Sequence, residues 1–365
     1  MFVVHSAYAF LTRLIPYESY FRANMEVAGM VAPVFCFLAG ISVALLSAKA
    51  WQKMSAASDI DKARKKQRAL RRRIITRGAQ ILALGYALRL SFWVLSHFYG
   101  SWTRILKVDI LQCIGLSLIV FPLLAWPPNP QKKGLAKVNW IAGALCLLWM
   151  LSTPFFFHLP WKESVPLGIR AYFDVGSRLA LFPFFPYGTW IALGLFVGSF
   201  VPTPILEGRK ELGILGGLII AALALYATGS WLDTATKAYP IYQLWGETRP
   251  PKGLFHGFLI KVAWLLGIYA VARLSARGLD RLPIQPLSLL GQTSLFAYCA
   301  HLIVLYHVFY HRVSIPTGPT THLLLSGLLT TVMFALCWLW SKKASLVPFT
   351  KSAVGRVLPG GKGAH

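Results

Sequence analysis

MEVAGMVAPVFCFLAGISVALLSA, residues 25 to 48, runs from Ala28 to Ala48 without a charged side chain. At about 1.5 Å per residue it is long enough to cross a bilayer core of roughly 30 Å as a helix. A helix is also the conformation that lipid allows, because it satisfies its own backbone N–H and C=O groups. The pattern repeats in both directions. Apolar runs cover residues 1 to 15, which is short, then 74 to 97, 105 to 126, 138 to 158, 179 to 200, 212 to 232, 253 to 274, 287 to 311 and 321 to 341. Over 365 residues the chain is 56% hydrophobic and only 13% charged, with a mean hydropathy of +0.57, too apolar for a water-soluble fold of this size. These runs predict an all-α, polytopic integral membrane bundle of about ten transmembrane helices. The spans form one domain over residues 1 to 341, followed by a basic cytoplasmic tail over 342 to 365.

A net charge of +25 raises nucleic acid as a partner, so the positions of the basic residues decide. They sit between the apolar runs, which makes the lipid bilayer the expected partner and removes nucleic acid. Of the 37 Lys and Arg residues, 24 fall in one alternating set of loops, with 11 of these in residues 49 to 77. The opposite set holds 11. The positive-inside rule puts the richer set, and with it both termini, in the cytoplasm. The densest stretch is KARKKQRALRRRIITR, residues 62 to 77, which reads first as a topology determinant and second as a surface for anionic lipid or for cofactor phosphates. Cys36, Cys113, Cys146, Cys299 and Cys337 all lie in apolar runs without a CxxC pair, so they read as small core residues with no metal site. Walker, HExxH and GxSxG patterns are absent.

Ionisable side chains inside spans are costly in lipid and usually face a partner or a cavity. Counted along their helices, His5, Arg89, Lys261 and His301 all lie roughly 10 to 15 Å below the extracytoplasmic surface, with Asp109 and Gln112 near that level. Singly, each is explained by snorkelling or an internal hydrogen bond. Their common depth on four helices favours a shared polar cavity. Arg89 and Asp109 stand on two arms of a hairpin, which makes a buried ion pair geometrically reasonable. Ser294, Tyr298 and His301 share one helical face. Pro183 and Pro186 in RLALFPFFPYGTW should break the outer half of their span. In the outer loop, residues 233 to 252, Tyr239, Tyr242 and Trp245 interleave with Glu247 and Arg249. That mixture suits a sugar or polar head group, and an interfacial aromatic belt equally.

Four stretches, AGMVAPVFCFLAGIS (28 to 42), RILKVDILQCIGLSL (104 to 118), LFPFFPYGTWIALGLFVG (181 to 198) and LGQTSLFAYCAHLIVLY (290 to 306), occur in the order and spacing of a known family. Together they resemble the bacterial relatives of the heparan-alpha-glucosaminide N-acetyltransferase catalytic domain, within a superfamily of transmembrane acyltransferases. The resemblance implies transfer of an acyl group, commonly acetyl from acetyl-CoA, to a carbohydrate or lipid-linked acceptor. It also implies a multi-pass protein of the bacterial inner membrane, for which a homodimer is compatible. The family's first-helix histidine corresponds to His5 in FVVHSAYAF, its charged residues before the LQ motif correspond to Lys107 and Asp109, and its glutamine corresponds to Gln112.

Acyl transfer needs a base or a nucleophile, and donors for the developing oxyanion. Imidazole can fill either of the first two roles near neutral pH. The candidate catalytic residues are therefore His5, Asp109 and His301, with Arg89, Lys107, Gln112 and Lys261 binding substrate or cofactor and no metal. The competing class is a transporter or flippase for a lipid-linked or small anionic substrate, in which the same buried charges bind without bond making.

Overall fold

The computed structural model of the chain describes residues 2, 5, 18 to 55, 60 to 95, 101 to 125, 134 to 157, 164 to 174, 177, 179 to 200, 209 to 238, 255 to 279, 285 to 305 and 318 to 346. The protein is an all-α polytopic membrane protein. Its helices are α1 (Glu18–Ser55), α2 (Ile60–Leu95), α3 (Ile110–Ala125), α4 (Gly134–Phe157), α5 (Leu167–Arg170), α6 (Phe184–Ser199), α7 (Arg209–Ala238), α8 (Phe255–Leu279), α9 (Gln285–Gln292), α10 (Ser294–Ile303) and α11 (Pro319–Leu346), with a 3-10 turn at Trp102–Leu106. Among the described residues, α1, α2, α7 and α11 are each long and apolar enough to cross a membrane. Ile220 and Leu223 on α7 are 70% and 65% exposed, which a helix tolerates when its outer face meets lipid rather than water.

Several boundaries differ from the sequence reading. The stretch read as a loop over residues 49 to 77 is largely helical, because α1 continues to Ser55 and α2 begins at Ile60. Ala, Leu, Lys, Arg and Gln are strong helix formers, so KARKKQRALRRR extends the spanning helix instead of ending it. The buried side chains of this extension, Ala63, Gln67, Leu70 and Ile74, recur at helical spacing, and Trp51 and Met54 of α1 pack with Ala63. The run 287 to 311 is interrupted at Thr293, where ψ is 19°, giving α9 and α10 in place of one span. The run 179 to 200 becomes helical only at Phe184, and Phe185 has the non-helical angles φ −101° and ψ 116°, beside a cis Phe185–Pro186 bond. The aromatic outer loop beyond Ala238 and the C-terminal tail lie outside the described residues, as does most of the first short span.

The chain divides into two compact units. One comprises Gly29–Leu274, and the other combines Met1–Ala28 with Ser275–His365. In the larger unit, small residues let backbones approach closely. A Cβ placed on Gly194 would overlap the Phe37 carbonyl of α1, and one on Gly198 would press on Ala44 and Ile41. Gly78 and Gly115 similarly bring α2 against α3. Trp149 of α4 packs on Phe121, Phe184 and Phe185, filling the space where α6 breaks. In the smaller unit, Leu305, Leu329 and Met333 form the apolar seam between the end of α10 and α11, and Phe2 packs against it.

Candidate active site

The larger unit assembles a polar cluster where α2 meets the start of α3. Arg89 donates from its guanidinium to Oδ2 of Asp109 at 2.5 Å, and both side chains are less than one-fifth exposed. Oδ1 of Asp109 accepts the Ile110 N–H at 2.8 Å, and Gln112 Oε1 accepts the Asp109 N–H at 3.2 Å. Asp109 therefore stands at the N-cap of α3, where its side chain accepts the first helical N–H and Gln112 supplies the N3-to-N-cap half of a capping box. Gln112 is fully buried, and its Nε2 has no hydrogen-bond partner among the described residues. Its amide fits because Gly85 opposite has no side chain, so a Cβ there would meet the amide group.

The segment carrying Lys107 and Asp109 is held from outside the helices. The N–H of Val108 donates to the Leu179 carbonyl at 2.8 Å, while the Val108 carbonyl accepts from Leu181 and Phe182 at 3.0 and 3.2 Å. Lys107 is half-buried in this clasp. Nearby, the phenols of Tyr86 and Tyr172 are 2.8 Å apart. Burial, and then the bond to Tyr86, push the Tyr172 phenol well above its ordinary value. Lys261 lies half-buried in α8 of the same unit and makes no hydrogen bond or ion pair among the described residues.

The smaller unit brings His5 and His301 together, with ring centroids 5.1 Å apart. Phe2 and Tyr298 contact His301 edge-on at 5.1 and 5.5 Å. His301 is fully buried, and its Nδ1 lies 2.9 Å from the carbonyl of Ala297 one turn back. A carbonyl can only accept, so Nδ1 carries a proton, and in the neutral ring the lone pair is then on Nε2. Nε2 has no partner among the described residues. A buried, unprotonated imidazole nitrogen is the feature that a general base or a nucleophile requires.

The sequence reading missed His322, which is also fully buried. Its Nδ1 lies 2.8 Å from Tyr20 Oη, and its Nε2 lies 3.3 Å from Ser326 Oγ. Ser326 also donates to the His322 carbonyl at 2.7 Å, which leaves its oxygen able to accept from Nε2. The sequence signal for His322 was an ionisable residue one turn before a serine at the edge of an apolar run, a position also compatible with the interface. No group of three or more His, Cys, Asp or Glu that could hold a metal occurs among the described residues.

The family model described as heparan-alpha-glucosaminide N-acetyltransferase, catalytic, matches residues 1–229 of the chain. No curated protein and no solved structure matches it.

Proposed function

The chain belongs to the heparan-alpha-glucosaminide N-acetyltransferase catalytic family, and from that premise we propose that it transfers an acyl group, acetyl in the simplest case, from acyl-CoA to a hydroxyl or amine of a carbohydrate or other envelope acceptor. The observation that carries this reading is the bare Nε2 of buried His301 with the His5 ring 5.1 Å away. In the direct route one imidazole takes the acceptor's proton as its oxygen or nitrogen attacks the thioester carbon. The C–S bond then breaks as the new C–O or C–N bond is made, and the imidazolium returns its proton to the departing CoA thiolate. In the covalent route the same nitrogen carries the acyl group between donor and acceptor. Arg89, Lys107, Gln112 and Lys261 bind polar groups of donor or acceptor. Asp109, whose two oxygens are engaged by Arg89 and by the Ile110 N–H, acts by holding Arg89 in place.

Residues 1 to 341 act in this reading as one transmembrane domain of the bacterial inner membrane, with both termini and the basic tail in the cytoplasm. The test is release of CoA from acetyl-CoA by the purified chain in liposomes with candidate glycan acceptors. His5→Ala and His301→Ala should each stay folded and lower the rate by about a hundredfold, the scale for loss of a general base. Parental rates in both variants would overturn the assignment of the histidines. Accumulation of labelled acceptor inside the liposomes without CoA release would make the protein a transporter instead.

A further inference from the structure

α2 is one helix of 36 residues, about 54 Å long, of which a bilayer core takes roughly 30 Å. The half from Gly78 to Leu95 is apolar apart from Gln80, Tyr86, Arg89 and Ser91, and it fills about that depth. The other half carries the basic run. Lys62, Lys65 and Lys66 occupy the far end, with Arg64 among them, and Arg68, Arg71, Arg72, Arg73 and Arg77 lie next to the apolar half without a lysine. Arg68, Arg72, Arg73 and Arg77 are exposed, whereas the buried seam uses Ala63, Gln67, Leu70 and Ile74. They form two pairs four residues apart, 68 with 72 and 73 with 77, which puts the members of each pair on one face with Cβ atoms about 6 Å apart.

These arginines have no carboxylate to meet along the chain, since Asp or Glu is absent between Asp61 and Asp109. Asp61 lies 3.8 Å from Arg64, at the far end. The headgroup layer is about 5 to 8 Å thick on each side of the core, so, counted from Gly78, Arg77 and Arg73 stand in it, Arg72 at its outer edge and Arg68 about 7 Å or more outside, where its long side chain can reach back toward the phosphates. A guanidinium matches a phosphate with two parallel hydrogen bonds, which an ammonium cannot do.

We propose that the Arg68–Arg72 and Arg73–Arg77 pairs form a collar that binds the phosphates of anionic phospholipid headgroups. The far lysines contribute only a screened, long-range attraction. The collar stands independently of the acyltransferase reading.

The test uses the purified full chain in nanodiscs of equal phosphatidylglycerol and phosphatidylcholine, with the lipids retained after extraction identified by native mass spectrometry. The parent should retain phosphatidylglycerol preferentially. Replacing all four arginines by Gln should reduce that preference by at least about tenfold, whereas Lys62→Gln, Lys65→Gln and Lys66→Gln together should change it by less than about twofold. If the fourfold variant does not fold, Arg68→Gln with Arg72→Gln, and Arg73→Gln with Arg77→Gln, each remove one pair and should each lower the preference. Undiminished preference in the arginine variants, or an equal loss in the lysine variant, overturns the collar. So does displacement of phosphatidylglycerol from the parent by acetyl-CoA, which would assign the arginines to a soluble phosphate.

Discussion

Arg89, near the end of α2, is bonded to Oδ2 of Asp109, the residue that caps α3, so one carboxylate both neutralises a cation and starts a helix. Arg89→Leu should destabilise the protein by about 3 kcal/mol by leaving the Asp109 charge uncompensated, and Asp109→Leu should cost at least as much because the cap is lost too. The double variant should be less damaged than the two single losses predict when added. Thermal unfolding in detergent, read as a double-mutant cycle, checks this. Additive losses would show that the two residues do not interact.

Gln112→Met keeps the volume but removes the acceptor for the Asp109 N–H, and should cost about 1 kcal/mol. If the unpartnered Nε2 meets a substrate, KM should rise with little change in kcat, since a binding interaction common to ground and transition states is removed. Steady-state kinetics on the folded variant separates the two effects.

Gly194→Ala should destabilise by about 1 to 3 kcal/mol, because the new methyl overlaps backbone of α1 that cannot rotate away. Gly213→Ala on α7 is the control. Among the described residues no atom outside its own helix backbone lies within 4 Å of the methyl it would add, so the unfolding midpoint should hold or rise slightly. A Gly194 variant as stable as the parent would contradict the close approach of α1 and α6.

Tyr172 provides a pH test. Its folded-state value is raised above the ordinary phenol value of 10, so its stabilising contribution is complete below about pH 10 and is lost as pH climbs through the folded value. Tyr172→Phe should flatten part of the fall in stability above about pH 10, while leaving a roughly constant deficit at neutral pH from the lost bond to Tyr86. A parental alkaline slope in the variant would show that another group is responsible.

Much of the fold was legible because lipid imposes one solution on an apolar run, and the Arg89–Asp109 pair was legible because a short hairpin leaves a buried cation few carboxylates to choose from. The length of α2 was not. A basic stretch reads as a loop when charge is the only criterion, yet its residues are strong helix formers with an apolar face. The break at Thr293 follows Gly291 by two residues, but a single glycine within a long apolar run is a weak signal beside the run itself. Tyr20 and His322 are separated by 302 residues, and no local pattern could have joined them. At His301 the sequence named the residue, whereas the tautomer depends on the distance to one backbone carbonyl.

Because α2 is unbroken from Ile60 to Leu95, Arg77 and Arg89 are fixed about 18 Å apart along one rod. Neither can slide relative to the other. A bilayer a few ångströms thicker or thinner therefore cannot be met by stretching this helix, and the rod must tilt as a whole or the lipid must deform around it. Acyl-chain length and temperature, which set membrane thickness, thus act on the placement of Arg89 through the whole helix.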